Sequence, residues 1–177
     1  MSFIRALRNI EFGSLDILLR MLLACDGTLV DALEAAFHES IKIVKLGNTT
    51  SRISAPVADL RLEIGQYLLC RKVIIVGEQT GRKYVFAETM LALERVPPAF
   101  QRELYESDKP IGKIWFDHGL EGRKELLSIE KLPSVSIEQI LQSHQGIITR
   151  RYRLTSGGAP IMVIAESFPA RLSLESD

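Results

Sequence analysis

Charged residues set inside apolar, strand-like runs are the positions of this chain that invite chemistry. In Tyr67–Val76 (YLLCRKVIIV) an arginine interrupts the run, and a period of two puts Arg71 on one face with Leu69, Val73 and Ile75. If that face is buried, the guanidinium is desolvated and needs an anion. The anion is either an internal carboxylate or the carboxylate of a bound small molecule. Glu88 falls on the face of Tyr84, Phe86 and Met90, and Glu166 on that of Met162, Ile164 and Phe168. Both are expected to be desolvated, which disfavours the charged form unless a cation is near. A turn over Glu78–Gly81 sets Val76 against Lys83 and Arg71 opposite Glu88, ready for a cross-strand ion pair. Glu166 has Arg151 or Arg153 within reach across the last hairpin, or it serves a site. In the cluster Arg150-Arg151-Arg153, alternation puts Arg151 and Arg153 on one face and Arg150 on the other. A solvated edge strand is the competing explanation for that cluster.

Other common chemistries find no support. His38, His118 and His144 have no metal-ligand spacing and are expected at the surface, and no metal site is expected. Cys25 and Cys70 lie in apolar runs and read as buried thiols. There is no G-x-S-x-G, Walker loop or G-x-G-x-x-G. The 22 basic and 22 acidic residues cancel, so no net positive field favours nucleic acid. With 177 residues, 46% apolar and 25% charged, the chain fits one soluble domain spanning residues 1–177. Its start lacks a signal peptide's long apolar stretch and no run spans a bilayer, so a cytoplasmic location without membrane contact is expected.

The elements that must hold these charges follow in order. Ser14 caps a helix with Leu15, Leu18, Leu19, Leu22 and Leu23 on one stripe, ended by Asp26-Gly27. Thr28 caps a second helix, giving a helical hairpin. Residues 40–46 form a strand closed by turn residues 47–51, and 54–65 form a loop. Tyr67–Val76 and Lys83–Leu91 form a long hairpin. Pro97-Pro98 opens a helix, and Asp108-Lys109-Pro110 opens another that His118-Gly119 stops. A strand over Lys124–Leu132 and a short helix capped at Ser136 precede a second hairpin, Ile147–Leu154 with Pro160–Phe168. Hairpins with helices inserted between them argue an α+β fold with an antiparallel sheet.

Four segments, CRKVII at 70–75, KPIGKIWF at 109–116, RRYRL at 150–154 and the stretch from Gly158-Ala159-Pro160 through Ala165-Glu166-Ser167-Phe168-Pro169, resemble in order those of the chorismate lyase (chorismate pyruvate-lyase) family. The resemblance runs from about Leu15 to Pro169. It implies an antiparallel sheet with helical flaps over an internal pocket, and removal of pyruvate from chorismate to leave 4-hydroxybenzoate, with no metal or organic cofactor. By the same resemblance Arg71 binds the ring carboxylate. The backbone N–H of Ile111 and one near Thr28, at helix starts, help hold it. Glu166 lies near the hydroxyl end of the product. Kept partly protonated by apolar neighbours, it could hydrogen-bond the departing ether oxygen.

One departure stands out. The best-known branch of the family has a second arginine where this chain has Ala87-Glu88-Thr89, and a glutamate there would repel the pyruvyl carboxylate. Either Arg151 or Arg153 takes over, or the ligand differs, or the chain is a divergent branch with the same activity. The ligand-binding domains of a large group of bacterial transcriptional regulators are also similar to chorismate lyase and bind small molecules without chemistry. They carry an upstream helix-turn-helix domain, and only about 14 residues precede the first helix here, which favours the enzyme. A binding module for an aromatic acid is the alternative.

Overall fold

The computed structural model describes residues 7–8, 10–132 and 134–172. Runs rich in β-branched and aromatic residues assemble into one seven-stranded sheet. Its strands are β1 (Leu7–Arg8), β2 (Ile41–Arg52), β3 (Tyr67–Gly77), β4 (Lys83–Ala92), β5 (Arg123–Leu132), β6 (Ile147–Ser156) and β7 (Ala159–Pro169). Their order is β1-β5-β6-β7-β4-β3-β2, antiparallel throughout except for the short β1 beside β5. The helices described are α1 (Ile17–Ala24), α2 (Leu29–Phe37), α3 (Pro98–Glu106), α4 (Ile111–Asp117) and α5 (Val135–Leu141). The fold is α+β, as expected from the alternation of hairpins and helices.

The two long hairpins pair with one another through β4 and β7, so their apolar runs form the centre of the sheet. On one face, Leu19, Leu23 and Leu33 of the α1–α2 hairpin pack against Ile75, Ile148 and Phe168. On the same face, Phe100 and Leu104 of α3 and Ile114 of α4 pack against Leu69, Leu91 and Met162. The other face is covered by Leu60 and Leu62 of the 53–66 loop and, elsewhere, by Leu141 of α5. Two helical layers thus share one face, and the space between them is where a ligand can enter.

Several boundaries differ from the sequence reading. β2 continues through residues 47–51, past a bulge that leaves Leu46 unpaired, and stays on β3 as far as Arg52 opposite Tyr67. Turn-forming polar residues are tolerated there because β2 is an edge strand. Asp16, not Ser14, precedes α1, and α5 is capped by Ser134, whose hydroxyl accepts from the Ile137 N–H, two residues before the expected Ser136. Cys25 and Cys70 are free thiols and only half-buried.

The largest correction concerns register. Val76 does pair with Lys83, but Ile75 then pairs with Val85, so Tyr84 is an extra residue in β4. A one-residue bulge turns every later side chain to the other face. Arg71 therefore lies opposite Thr89, and Glu88 opposes Lys72.

The bulge has its own anchor. Tyr84 stacks on Phe37 with ring centroids 4.4 Å apart and donates its hydroxyl to buried Glu39. Glu39 also accepts from the N–H of Gln79 and Thr80 and from the Thr80 hydroxyl, which ties the end of α2 to the β3–β4 turn. Gly77 is required beside it, since a Cβ there would overlap the carboxylate. Burial pushes the Glu39 carboxyl up, but the bonds from Tyr84, Thr80 and Gln79 outweigh burial and hold it at about 2 against an ordinary 4.5. A depressed folded-state value means that its stabilisation is complete above 4.5 and is lost as pH falls toward 2. Glu39→Gln should lower the Tm at neutral pH and flatten the decline of Tm between pH 4.5 and 2. An acid limb as steep as the wild type's would contradict this account.

Candidate active site

Between the two helical layers lies a cavity of about 360 Å³. Its floor is the alternating face of β3, β4 and β7, with Arg71, Val73 and Ile75 beside Ala87 and Thr89 and then Met162, Ile164 and Glu166. Its walls are the α1–α2 connection with the start of α2, from Asp26 to Val30, and α4 with Ile111, Gly112, Trp115 and Phe116. Arg71, Glu166, Thr28 and Ile111 therefore line one space. Helical geometry leaves the first amides of each flap helix without intrahelical acceptors, and these are the segments that meet the cavity. The Thr28 hydroxyl makes no capping bond.

Arg71 is 3% exposed. Its Nη1 and Nη2 point to the carbonyls of Leu104 and Lys109 at 3.4 and 3.3 Å, both long for a hydrogen bond. No carboxylate among the described residues is within ion-pair distance of it, and burial pushes its pKa down, with Asp108 opposing from farther off. A guanidinium with five N–H donors is thus held in the wall of a cavity with two weak acceptors.

Glu166 is the opposite case. Arg150, directly across from it on β6, donates Nε–H to Oε2 at 2.5 Å, and the Tyr152 hydroxyl donates to Oε1 at 2.9 Å. Burial, followed by the Glu166 charge, drives the Tyr152 phenol well above its ordinary range, so it stays a donor. Glu166 therefore meets the cavity with each carboxyl oxygen already bonded, Oε2 to Arg150 and Oε1 to Tyr152, where its apolar neighbours alone suggest no partner. Arg150 is itself 2% exposed, and its Nη1 donates to the carbonyls of Leu22, Leu23 and Cys25 at the end of α1. Those carbonyls carry the partial negative charge of a helix C-terminus.

Three expected site residues do not reach this cavity. Glu88 faces the other side of the sheet and pairs with Lys72 at 2.8 Å, so it neither bonds Arg71 nor repels a ligand here. Arg151 and Arg153, on the face opposite Arg150, pair with Asp59 at 2.8 Å and Glu125 at 2.6 Å. A second hollow, of about 350 Å³, contains Glu88 and Arg151 together with Cys70 and Lys72. Conversely, Arg150, Tyr152, Thr89 and Lys124 belong to the site or its support, and the sequence reading gave none of them a role there. The signal for Arg150 was the register of the last hairpin; for Lys124 it was parity with Leu126, which opposes Tyr152. Among the described residues no group of three or more His, Cys, Asp or Glu is placed to hold a metal ion.

A family model described as "Chorismate pyruvate-lyase Rv2949c-like" matches residues 23–175. The chain belongs to that family. The chorismate pyruvate-lyase of Mycobacterium tuberculosis is 28% identical over 157 residues, covering 85% of this chain and 78% of that protein. That of Mycobacterium leprae is 29% identical over 168 residues, covering 93% and 80%. Among solved structures, PhnF from Mycobacterium smegmatis superposes with a TM-score of 0.69 at 14% identity, covering 84% of this chain and 67% of that one. The C-terminal domain of the histidine utilization repressor from Pseudomonas syringae gives 0.59 at 13%, covering 77% and 97%. These structural likenesses establish that the chorismate lyase-like fold is shared. No described helix is long and apolar enough to cross a membrane.

The Arg150–Glu166 pair makes a prediction about stability. Removing one partner of a buried ion pair costs about 3–5 kcal/mol, because the other charge is left uncompensated. Arg150→Met should therefore destabilise the fold by about that much in urea titration, through both Glu166 and the end of α1. The double variant R150M/E166L should recover part of the loss. Strict additivity of the two single changes would deny the coupling.

Proposed function

We propose that the protein is a chorismate pyruvate-lyase that releases pyruvate from chorismate and leaves 4-hydroxybenzoate. The observation that carries this reading is Arg71, a buried guanidinium in a cavity wall with no carboxylate among the described residues at ion-pair distance. A ligand carboxylate completes it by a paired, charge-assisted contact. Membership of the family supports chorismate as the ligand, and the cavity offers an apolar floor on which a six-membered ring can lie.

The reaction asks for positioning more than for strong chemistry. The ring loses the proton from its hydroxyl-bearing carbon, the neighbouring carbon–oxygen ether bond breaks, and enolpyruvate leaves with the bonding pair and tautomerises to pyruvate. The product is aromatic, so the driving force resides in the substrate. On this reading Arg71 anchors the ring carboxylate, with the first amides of α2 and α4, near Thr28 and at Ile111, as secondary donors. Glu166 accepts a hydrogen bond from the ring hydroxyl, held in place by Arg150 and Tyr152. A second reading is a domain that binds an aromatic acid without turning it over; an effector domain of PhnF and a domain of a histidine utilization repressor share the fold.

Incubation with chorismate, following pyruvate and 4-hydroxybenzoate together, separates the two. Stoichiometric appearance of both supports the lyase; a rise in Tm with 4-hydroxybenzoate and no pyruvate supports the binding module. Arg71→Ala should lower kcat/KM about 100-fold, the worth of a lost charge-assisted contact. Glu88→Gln should leave kcat/KM within about twofold of wild type, because Glu88 is on the far face. A large effect of Glu88→Gln would contradict the register on which the site is built.

A further inference from the structure

Lys124 is the cation of the cavity lining that the proposed reaction does not use. It begins β5, and its ammonium reaches inward over the ring of Tyr152, 4.7 Å from the centroid. It donates to the carbonyl of Asp26 at 2.9 Å and leans on that of Gly27 at 3.4 Å. The nearest carboxylate, that of Asp26, lies 4.0 Å away on a side chain that is 86% exposed. Burial and then the Arg150 charge push its pKa below the ordinary lysine range.

The charge balance of the cavity is therefore unequal. Arg150 and Glu166 neutralise each other within the wall. Arg71 and Lys124 remain, on β3 and β5, four strand spacings apart or about 19 Å between backbones. Both line the same cavity. Two separated cations, with the buried acid between them already paired to Arg150, suit a ligand with two carboxylates rather than one.

The geometry points to Lys124 as the second anion contact, holding the enolpyruvyl carboxylate of a substrate whose ring carboxylate lies on Arg71. The assignment rests on the reading given under Proposed function. It replaces Arg151 and Arg153, the two expected substitutes for the missing arginine, which are paired on the far face. The neighbours of Lys124 agree with it. Tyr152, beneath the ammonium, donates to Glu166, so Lys124 is adjacent to the carboxylate that meets the reacting end of the ring. An ammonium has three N–H donors, and the two flap carbonyls leave one for a ligand.

The test compares two ligands that do not react. 4-Hydroxybenzoate carries one carboxylate; 3-(carboxymethoxy)benzoate carries a second on an ether arm and, being already aromatic, has no elimination to undergo. Dissociation constants are measured calorimetrically for wild type, Lys124→Met and Lys124→Arg, with the Tm of each recorded as a check of folding. In K124M the diacid should weaken between about 10- and 100-fold, as for one charge-assisted hydrogen bond, while 4-hydroxybenzoate changes by less than about threefold. K124R should restore most of the diacid affinity. Should K124M not fold, the K124R and wild-type preference for diacid over monoacid still decides, and equal affinity for the two overturns the assignment. Equal weakening of both ligands in K124M means that the lysine is only a latch for the flap, which overturns it too, as does no weakening at all. Because neither ligand is turned over, selective loss of the diacid upholds Lys124 even where chorismate yields no pyruvate and the lyase reading fails.

Discussion

Positive charge buried on one face of the sheet is the constraint from which the rest of the molecule follows. A cation removed from water must be met by acceptors, and on this face they come chiefly from the ends of helices. Arg150 gathers the last carbonyls of α1, Lys124 those of the Asp26-Gly27 connection, and Arg71 those of Leu104 and Lys109 around the α3–α4 turn. Arg150 sits at the carbonyl end of α1, where helix dipole and cation reinforce one another, and Arg71 and Lys124 hold carbonyls of the connections beside the flap helices. The flaps are thus set by charge as well as by their leucines, and the cavity is the space left between the two sets of contacts.

How much of this is legible in the sequence depends on how far apart the interacting residues lie. The α+β class, both long hairpins and the odd position of Arg71 follow from local alternation, because a period of two is visible in ten residues. The Arg71–Glu88 pairing failed on a single residue. The turn does set Val76 against Lys83, but Tyr84 bulges toward Glu39, more than forty residues earlier in the chain. Residues 47–51 read as a turn because their composition is that of a turn, whereas an edge strand accepts the same residues. Arg150 was assigned to the right face without its partner. Lys124 opens its strand, where a charge is ordinary, and its partners at Asp26 and Gly27 are nearly a hundred residues away.

The same bulge changes the meaning of the chain's departure from the best-known branch of its family. With Tyr84 unpaired, the cavity-facing residues of β4 are Ala87 and Thr89, both small, and Glu88 is on the far face beside Lys72. The glutamate therefore adds no anion to this part of the wall. Thr89 occupies the floor between Arg71 and Ile164. Arg151 and Arg153, paired on the other side of the sheet, have no repulsion to balance there.

Arg71 and Lys124 answer a ligand differently, because their donor counts differ. Arg71 has five N–H groups and two long contacts of 3.3 and 3.4 Å, so a carboxylate can add to the α3–α4 flap contacts without displacing them. Lys124 has three N–H groups, one on Asp26 at 2.9 Å and one leaning on Gly27 at 3.4 Å, so a single donor remains for an anion. Phe116, 82% exposed although it lines the cavity, stands on the α4 side, where an apolar ring in the site would give it something to cover. The cations that hold the flaps are thus the same ones that face a ligand, and neither has to give up its flap contact to meet one.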